Sequence, residues 1–240
     1  MVIDVRADRR GEYFDLQLDS GADVAVLDVQ PRDRHLLLMT RQPAEQPHQA
    51  DVKDKFLCGH DERHWFVAAV PEVTAVSSVV TAKDSLKPAG VRQLERGAKG
   101  KRSRRHRRRT PVFIRQGEWF FVPAPHLQPD PMLVLRNEPI TRGRGKPHTC
   151  EFLFRQGGTT VYVCRFHPQG LTENEYGSLL RAQPEASGWS WRTMRRDPRV
   201  YVRGKVTHAD HATIYLPEWR LVEMNTENRS RAMAHVAFLD

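Results

Sequence analysis

The sequence predicts a mainly β protein of the α+β class, with two small sheets or barrels joined by a short helix and a basic arm. Three observations support this prediction. Apolar and polar residues alternate over short segments in both halves of the chain. Glycine, proline, asparagine and aspartate separate many of these segments, as turns between strands require. Helix signals are confined to a few short stretches.

The residues before the arm, 1–91, are predicted to form an N-terminal β-rich region. Strand-like patterns occur at residues 12–18, 24–29, 35–40, 55–58 and 64–70. The polar residues 59–63 would connect the last two strands as a hairpin tip. Residues 76–86 begin as a strand and pass into a helical turn, and a short helix is expected at residues 88–96. Lys83 and Lys87 are expected to be solvated.

The basic arm, residues 92–110, carries the net charge of the protein. Residues 92–109 hold ten basic side chains and one acidic side chain, which equals the formal net charge of +9. The chain has 38 lysines and arginines and 29 aspartates and glutamates, so the remaining residues are balanced at 28 of each sign. The run Lys101–Arg109 within the arm repels itself and is predicted to be a solvated, mobile loop until an anion orders it.

The residues after the arm, 111–240, are predicted to form a second β-rich domain. Strands are expected within residues 111–123 on either side of a Gln116-Gly117 turn, and at 132–135, 150–154, 159–164, 199–203, 213–216 and 220–224. Residues 123–131 are rich in proline and indicate a surface connection. A capping box at Thr172–Glu175 predicts a helix over 176–182, and residues 189–195 are expected to form a second short helical piece.

The composition indicates a soluble, cytoplasmic protein without a membrane partner. No stretch approaches the about 18 apolar residues that a membrane span needs, and the first residues lack the apolar core of a signal peptide. The three cysteines are odd in number and widely spaced, which favours thiols or metal ligands in a reducing compartment over disulfides.

Three segments of the second half resemble a family of small bacterial and phage proteins. They are Arg115–Pro123, Gly145–Cys150 and Val202–Pro217. The family reads roughly R-Q-G-D-V-L, then G-H-x-H, then L-x-H-x-E-H-x-x-I-x-L-P, and the likeness covers about residues 110–225. The family's activity is uncharacterised, so the resemblance implies a compact β domain and supplies no activity.

The resemblance also implies candidate site residues. His148 and Cys150 fall where the family has its first histidine pair, with Cys150 in place of a histidine. His208 and His211 match the second pair, with Asp210 where the family usually has glutamate.

These residues are the candidate metal ligands and catalytic residues. Two side chains spaced by two on a strand share one face, so His148 and Cys150 would point the same way. If that strand pairs with the segment of His208 and His211, three imidazoles and a thiolate would converge, which suits tetrahedral zinc. Alternatively, His148, His208 and His211 would act as general acid and base on a phosphodiester, or would only bond to turn backbones at the rim of a barrel.

A second polar cluster, His60, Asp61 and His64, is an alternative catalytic or metal site. It does not follow the H-E-x-x-H pattern, because Asp61 stands where that pattern needs glutamate and the following residues look like a strand. Unless it has one of these functions, this cluster is a hydrated loop.

The leading functional prediction is a nucleic-acid-binding protein, with RNA favoured over DNA, because guanidinium groups grip phosphates and arginine-rich segments often fold on RNA. The predicted contacts are Lys99, Lys101, Arg102, Arg104, Arg105, Arg107, Arg108 and Arg109. The alternatives are a nuclease or phosphotransferase, with zinc or with histidines alone, and an interaction or assembly protein whose arm binds an acidic partner.

Overall fold

A computed structural model describes residues 2–44, 46, 48–71, 75–98, 105–143 and 145–229. Strands hold 50% of the residues and helices 18%, so the predicted mainly β class is confirmed. All strand pairs in this part of the chain are antiparallel. No helix among these residues has the length and apolar character needed to cross a membrane.

Six strands before the arm form a two-stranded hairpin and a four-stranded sheet. They are β1 (Val2–Asp8), β2 (Gly11–Gln17), β3 (Asp23–Gln30), β4 (His35–Gln42), β5 (Val52–Asp61) and β6 (His64–Val70). The hairpin pairs β1 with β2, and the sheet has the order β3-β4-β5-β6. Ile3 of the hairpin packs against Phe56 and Val67 of the sheet, so the hairpin covers one sheet face. The strand β1 was not predicted.

Two short helices, α1 (Val79–Ser85) and α2 (Ala89–Gly97), follow this sheet. Val79 packs with Leu37 and Leu57, so α1 covers the second sheet face. The prediction that residues 76–86 begin as a strand is wrong, because Ser78 caps α1 through reciprocal hydrogen bonds with Thr81.

The short helix α2 leads toward the second half of the chain. Its Val91 packs against Phe113, Phe120 and Val122. The predicted domain boundary at residues 91 and 92 therefore falls inside a helix that packs on the second half, and the division into domains stays a prediction.

The second half contains nine strands and one α-helix in its described part. They are β7 (Ile114–Gln116), β8 (Trp119–Pro123), β9 (Leu135–Ile140), β10 (His148–Gln156), β11 (Thr159–Cys164), β12 (His167–Thr172), α3 (Glu173–Ala182), β13 (Arg192–Arg196), β14 (Arg199–Thr207) and β15 (Ile214–Met224). A six-stranded sheet has the order β7-β8-β15-β14-β10-β9, and a three-stranded sheet has the order β12-β11-β13. Ile114 and Ile140 come from opposite edges of the larger sheet and share one core cluster, so this sheet curls strongly.

Several element predictions for this half are wrong in detail. Residues 189–195 do not form a helix, because Arg192–Arg196 pairs with β11 as a strand. The two strands expected at 213–216 and 220–224 are one strand, β15, with an irregularity opposite Val202 and Gly204. Of residues 132–135, Met132 and Leu133 belong to a 3-10 turn, Pro131–Leu133, which Asp130 caps, and Leu135 begins β9.

A short 3-10 turn at Thr226–Arg229 contacts elements of the first half. The Thr226 amide donates to the Leu86 carbonyl at 3.0 Å, and the Thr226 hydroxyl donates to the Ser85 carbonyl at 2.6 Å. The Glu227 carboxylate accepts from the Ala69 amide at 3.1 Å. This turn therefore joins the two halves through buried polar contacts.

Candidate functional site

The three candidate histidines come from two neighbouring segments of the curled sheet. His148 is the first residue of β10, and His208 and His211 lie in the loop between β14 and β15. Because Thr149 pairs with Thr207, the start of β10 lies beside the beginning of that loop. Antiparallel pairing of β10 and β14 is thus the physical reason why these distant residues meet.

The imidazoles of the three residues form one compact group. The ring centroids are 4.1 Å apart for His148 and His208, 4.6 Å for His208 and His211, and 5.6 Å for His148 and His211. One ring nitrogen of each residue lies within 4.8 Å of the others, a spacing that could hold a metal ion. We name this group the histidine cluster.

His148 is the most constrained member of the histidine cluster. Its side chain is 1% exposed, and neither of its ring nitrogens has a hydrogen-bond partner. Burial, together with the neighbouring His208 and His211, lowers the pKa of His148 to about 3. At neutral pH the ring is therefore uncharged and offers a lone pair, the form in which imidazole binds metals.

Gly117, in the turn between β7 and β8, lines the histidine cluster. It has a φ of +57°, and a Cβ at this position would lie 2.8 Å from His211 Nε2 and 3.5 Å from His148 Nε2. The two Nε2 atoms therefore face the same small space above the glycine. Gln116 holds this turn against the histidine loop by donating to the Ala212 carbonyl at 2.7 Å.

A carboxylate from the first half of the chain supports the histidine loop. Glu62 lies in the turn between β5 and β6, and its Oε2 accepts from the Ala212 amide at 2.5 Å. The same oxygen lies 3.8 Å from His211 Nδ1. Burial lowers the pKa of His211, as does the proximity of His208, whereas Glu62 opposes this shift. Glu62 therefore holds the histidine loop through the Ala212 backbone, whereas His211 Nδ1 itself has no hydrogen-bond partner among the described residues.

The arginine-rich arm is connected to this carboxylate. Arg108 donates to Glu62 and to Asp61, and Arg115 donates to Asp61 at 3.0 Å. Burial favours the neutral form of Asp61, but Arg115 and Arg108 hold its pKa below the usual value. The chain of contacts from Arg108 through Glu62 to the Ala212 amide joins the arm to the loop that carries His208 and His211.

His208 has a hydrogen bond that any bound metal would have to accommodate. Its Nδ1 accepts from the Asp210 amide at 3.0 Å, and Asp210 pairs with Lys146 at 3.0 Å. The Nδ1 lone pair is in use, so the proton of neutral His208 is on Nε2. Metal binding by His208 would therefore break this hydrogen bond or release that proton.

The fourth predicted ligand, Cys150, does not join the histidine cluster. Its thiol is fully buried in the hydrophobic core with Leu153 and Val202, and it is not among the residues whose ligand atoms converge. Burial raises the pKa of Cys150 to about 12, with Glu138 contributing in the same direction. Period-two spacing put Cys150 on the same strand face as His148, but its neighbours there are the apolar residues of the core.

The members of the alternative cluster, His60, Asp61 and His64, have different partners in the structure, although Asp61 and His64 are opposite each other on β5 and β6. Asp61 is held by two arginines, whereas His64 pairs with Glu12 at 2.9 Å. The His60 ring packs edge-on against Trp65 at 5.2 Å. They do not converge because β5 extends to Asp61 and the turn is shorter than predicted, so strand alternation directs His60 and Asp61 to opposite faces.

The predicted nucleic-acid contacts fall into two groups. Lys99, Lys101, Arg102 and Arg104 lie outside the described residues, and Arg105, Arg107, Arg108 and Arg109 lie within them. Arg107 and Arg109 are exposed, whereas Arg108 is ion-paired. The Arg115 amide donates to the Arg108 carbonyl at 2.6 Å. The end of the arm from Arg105 to Arg109 is therefore held against the folded chain by Arg108. This finding corrects the prediction of a wholly solvated loop.

Another correction concerns Lys87, which is buried and not solvated. Its ammonium group donates to both carboxylate oxygens of Glu95, at 2.9 and 2.8 Å, and to Asp84 at 2.9 Å. Lys83 pairs with Asp33 at 3.1 Å. These lysines have structural partners, so they add no catalytic group to the site.

Sequence reasoning did not connect two residues, Gly117 and Glu62, with the histidine cluster. The Gln116-Gly117 turn was recognised from its sequence, but only the folded chain shows that it faces the histidines. Glu62 carried no signal beyond its place at a hairpin tip. Comparisons of the chain with protein-family models, curated proteins and solved structures found no match, so the resemblance to the bacterial and phage family stays a prediction.

Proposed function

We propose that this protein binds nucleic acid, RNA in preference to DNA, and processes it at a transition-metal centre held by His148, His208 and His211. The observation that carries the proposal is the buried His148 ring, which has two unpartnered nitrogens beside two further histidines. The proposal combines a binding function of the arm with a hydrolytic function of the histidine cluster.

Metal binding would relieve part of an unfavourable feature of the fold. A buried polar group without a hydrogen bond costs about 1–3 kcal/mol. His148 has two such atoms, and a metal ion would bind one of them. Zinc readily binds imidazole nitrogen, and three protein ligands with one open position are typical of catalytic zinc sites. Gly117 has no side chain to fill the space that the Nε2 atoms face.

The arm supports nucleic acid as the substrate class. Arg107 and Arg109 are exposed beside Arg108, whose contact with Glu62 leads to the histidine cluster. A phosphate gripped by the exposed arginines would thus lie on the part of the protein that carries the histidines. RNA is preferred in the proposal because arginine-rich segments commonly fold on RNA.

The residues of the chain would have distinct tasks in phosphodiester hydrolysis. A bound transition metal lowers the pKa of water and polarises a phosphoryl oxygen. His148 supplies an uncharged nitrogen donor at neutral pH, and Glu62 holds the loop that carries His211 by accepting from the Ala212 amide. Arg107 and Arg109 would position the strand through charge-assisted hydrogen bonds to its phosphates.

The experiment compares wild-type protein, the His208→Ala/His211→Ala double variant and the control His126→Ala, whose histidine is exposed. Metal content is measured by elemental analysis, and binding and cleavage are measured with labelled single-stranded RNA and DNA of one sequence. We expect about one zinc-class ion per wild-type chain and per control chain. The double variant should lose metal and cleavage but should still bind RNA.

Three outcomes would contradict parts of this proposal. Unchanged cleavage in the double variant would exclude the histidine cluster as the site of reaction. Cleavage that requires the histidines but resists chelators would favour metal-free acid and base catalysis by histidine. Protein that is recovered free of nucleic acid at low salt and binds neither RNA nor DNA would favour an acidic protein partner for the arm.

A further inference from the structure

A groove lies on the face of the six-stranded sheet opposite its main core, beside a second buried cluster of Phe154, Tyr201 and Trp219. It has a volume of about 420 Å³, within the range of about 300–1,000 Å³ typical of small-molecule sites. The proline-rich segment 127–134 forms one wall and the sheet forms the floor. The residues that matter for recognition are Leu127, Val134, Arg136, Phe152, Arg203 and Trp219.

Strand register places the cationic and aromatic side chains of the groove in one row. Phe152 of β10 pairs with Arg136 of β9 on one side and with Arg203 of β14 on the other. The Arg136 guanidinium lies 5.2 Å from the Phe152 ring centre. The Arg203 guanidinium lies 5.4 Å from Phe152 and 5.1 Å from Trp219. Both arginines are therefore stacked on rings, which restricts their orientation.

Neither arginine of this row is neutralised by the protein. Among the described residues, no carboxylate forms an ion pair with Arg136 or Arg203, although both are exposed. The neighbouring Arg155, in contrast, pairs with Glu138 at 2.8 Å. A guanidinium stacked by its face keeps the N–H groups on its edge, which suit the paired oxygens of a phosphate.

We infer that this groove binds one nucleotide, with its phosphate on Arg136 and Arg203 and its base against the apolar wall. Leu127, Val134 and the edge of Phe152 offer an apolar surface for the flat ring of a base, whereas Trp219 is 8% exposed and lies beneath Arg203. The inference deepens the proposed function, because a nucleotide is a unit of the proposed nucleic-acid substrate. It uses none of the residues of the arm or of the histidine cluster.

Isothermal titration calorimetry with adenosine 5′-monophosphate tests the inference, with adenosine, inorganic phosphate and N-acetylphenylalanine as comparison probes. We expect the mononucleotide to bind more tightly than any of the three, because only it satisfies both the cationic row and the apolar wall. Arg203→Ser and Arg136→Ser should each weaken this binding about tenfold or more, since each removes a charge-assisted bond. Arg155→Ser is the matched control and should bind as wild type.

Conservative variants and folding controls keep the test decisive. Arg203→Lys should retain charge but lose much of the affinity, because lysine cannot form the planar fork. Circular dichroism should show that each variant remains folded. Absence of mononucleotide binding, equal affinity in the Ser variants and wild type, or tighter binding of N-acetylphenylalanine would each overturn the inference.

The result can be separated from the proposed function. The His208→Ala/His211→Ala variant should bind the mononucleotide as wild type does, because the groove contains neither histidine. Loss of RNA cleavage together with retained mononucleotide binding would leave the groove inference standing. Retained RNA cleavage with no mononucleotide binding would remove the groove inference alone.

Discussion

His148 shows how burial sets the chemistry of a single residue. Its ring is enclosed by the sheet and by two other imidazoles, which disfavour a positive charge. Neutral imidazole has one lone pair and one N–H, but the described part of the protein supplies neither a donor for the lone pair nor an acceptor for the N–H. The same burial that prepares His148 for a metal ion therefore also makes the metal-free protein sensitive to acid.

The folding stability of the metal-free protein should decrease as the pH drops below about 6.5. The pKa of His148 is about 3 in the folded chain and about 6.5 in an unfolded chain. The unfolded state thus binds more protons between these values, and folding stability decreases as pH falls. The contribution amounts to about 2 kcal/mol between pH 7 and pH 5. Urea unfolding with a chelator present, at both pH values, measures it.

The matched variant for this prediction is His148→Phe, which keeps a buried ring but cannot titrate. The change in its unfolding free energy between pH 7 and pH 5 should be smaller than that of wild type by about 2 kcal/mol, to within about 0.5 kcal/mol. His126→Ala, at an exposed site, should keep the wild-type change. An identical pH dependence in wild type and His148→Phe would show that His148 does not titrate as its burial implies.

Gly117 is required for two separate reasons, its positive φ and its contact with the histidines. Gly117→Ala should lower stability by about 1–2 kcal/mol from the left-handed backbone alone. Its Cβ would also meet His211 Nε2 at 2.8 Å, so zinc affinity should fall about tenfold or more. Competition with a chromophoric chelator measures the affinity.

Gly143→Ala is the control for this prediction. Gly143 has a φ of +56° and has no atom within 4 Å of its Cβ position. It should show a similar loss of stability without a loss of zinc affinity. Equal zinc affinity in Gly117→Ala and wild type would mean that the space above Gly117 is not the metal position.

At the scale of elements, the arm divides into arginines with protein partners and arginines without them. Arg108 is held by Asp61 and Glu62 at the turn between β5 and β6, whereas Arg107 is exposed. A neutralised arginine has little to gain from a phosphate, because binding would first have to break its existing ion pairs. Nearness in sequence therefore does not make the two residues equivalent.

Arg107→Ala should reduce the salt dependence of RNA binding, whereas Arg108→Ala should not. Losing one phosphate contact reduces the magnitude of the negative slope of the logarithm of the binding constant against the logarithm of salt concentration by about one. The slope is measured by filter binding at several salt concentrations with RNA of one sequence. A larger slope change in Arg108→Ala than in Arg107→Ala would show that the ion pairs of Arg108 open in the complex.

At the scale of the whole molecule, the two halves are joined by buried polar groups. Glu227 is 2% exposed, accepts from the Ala69 amide and pairs with Arg142 at 2.7 Å. Thr226 beside it bonds to both Ser85 and Leu86. These contacts are directional, so they set the position of the 3-10 turn against the first half.

Glu227→Ala should destabilise the protein by about 2–4 kcal/mol, because it leaves a buried amide and a partly buried arginine without their carboxylate. Urea unfolding followed by tryptophan fluorescence measures the loss. Glu138→Ala, which breaks the surface pair with Arg155, should cost about 1 kcal/mol or less. Equal effects of the two variants would contradict the assigned role of Glu227.

Local patterns in the sequence were sufficient to predict the mainly β class, most strands and the helix after the capping box at Thr172. Those features depend on alternation and on capping hydrogen bonds between near neighbours. The patterns failed at residues 189–195, where pairing with β11 makes a strand of residues that look helical. Local preference was overruled there by a hydrogen-bonded neighbour that is distant in sequence.

The sequence by itself determined the concentration of charge in the arm and the spacing of His148, His208 and His211. Only the tertiary structure decided that these histidines meet, that Cys150 lies in the core and that Arg108 reaches Glu62. The physical reason is that side-chain spacing fixes which face a residue occupies, whereas strand register and sheet curl fix what that face meets.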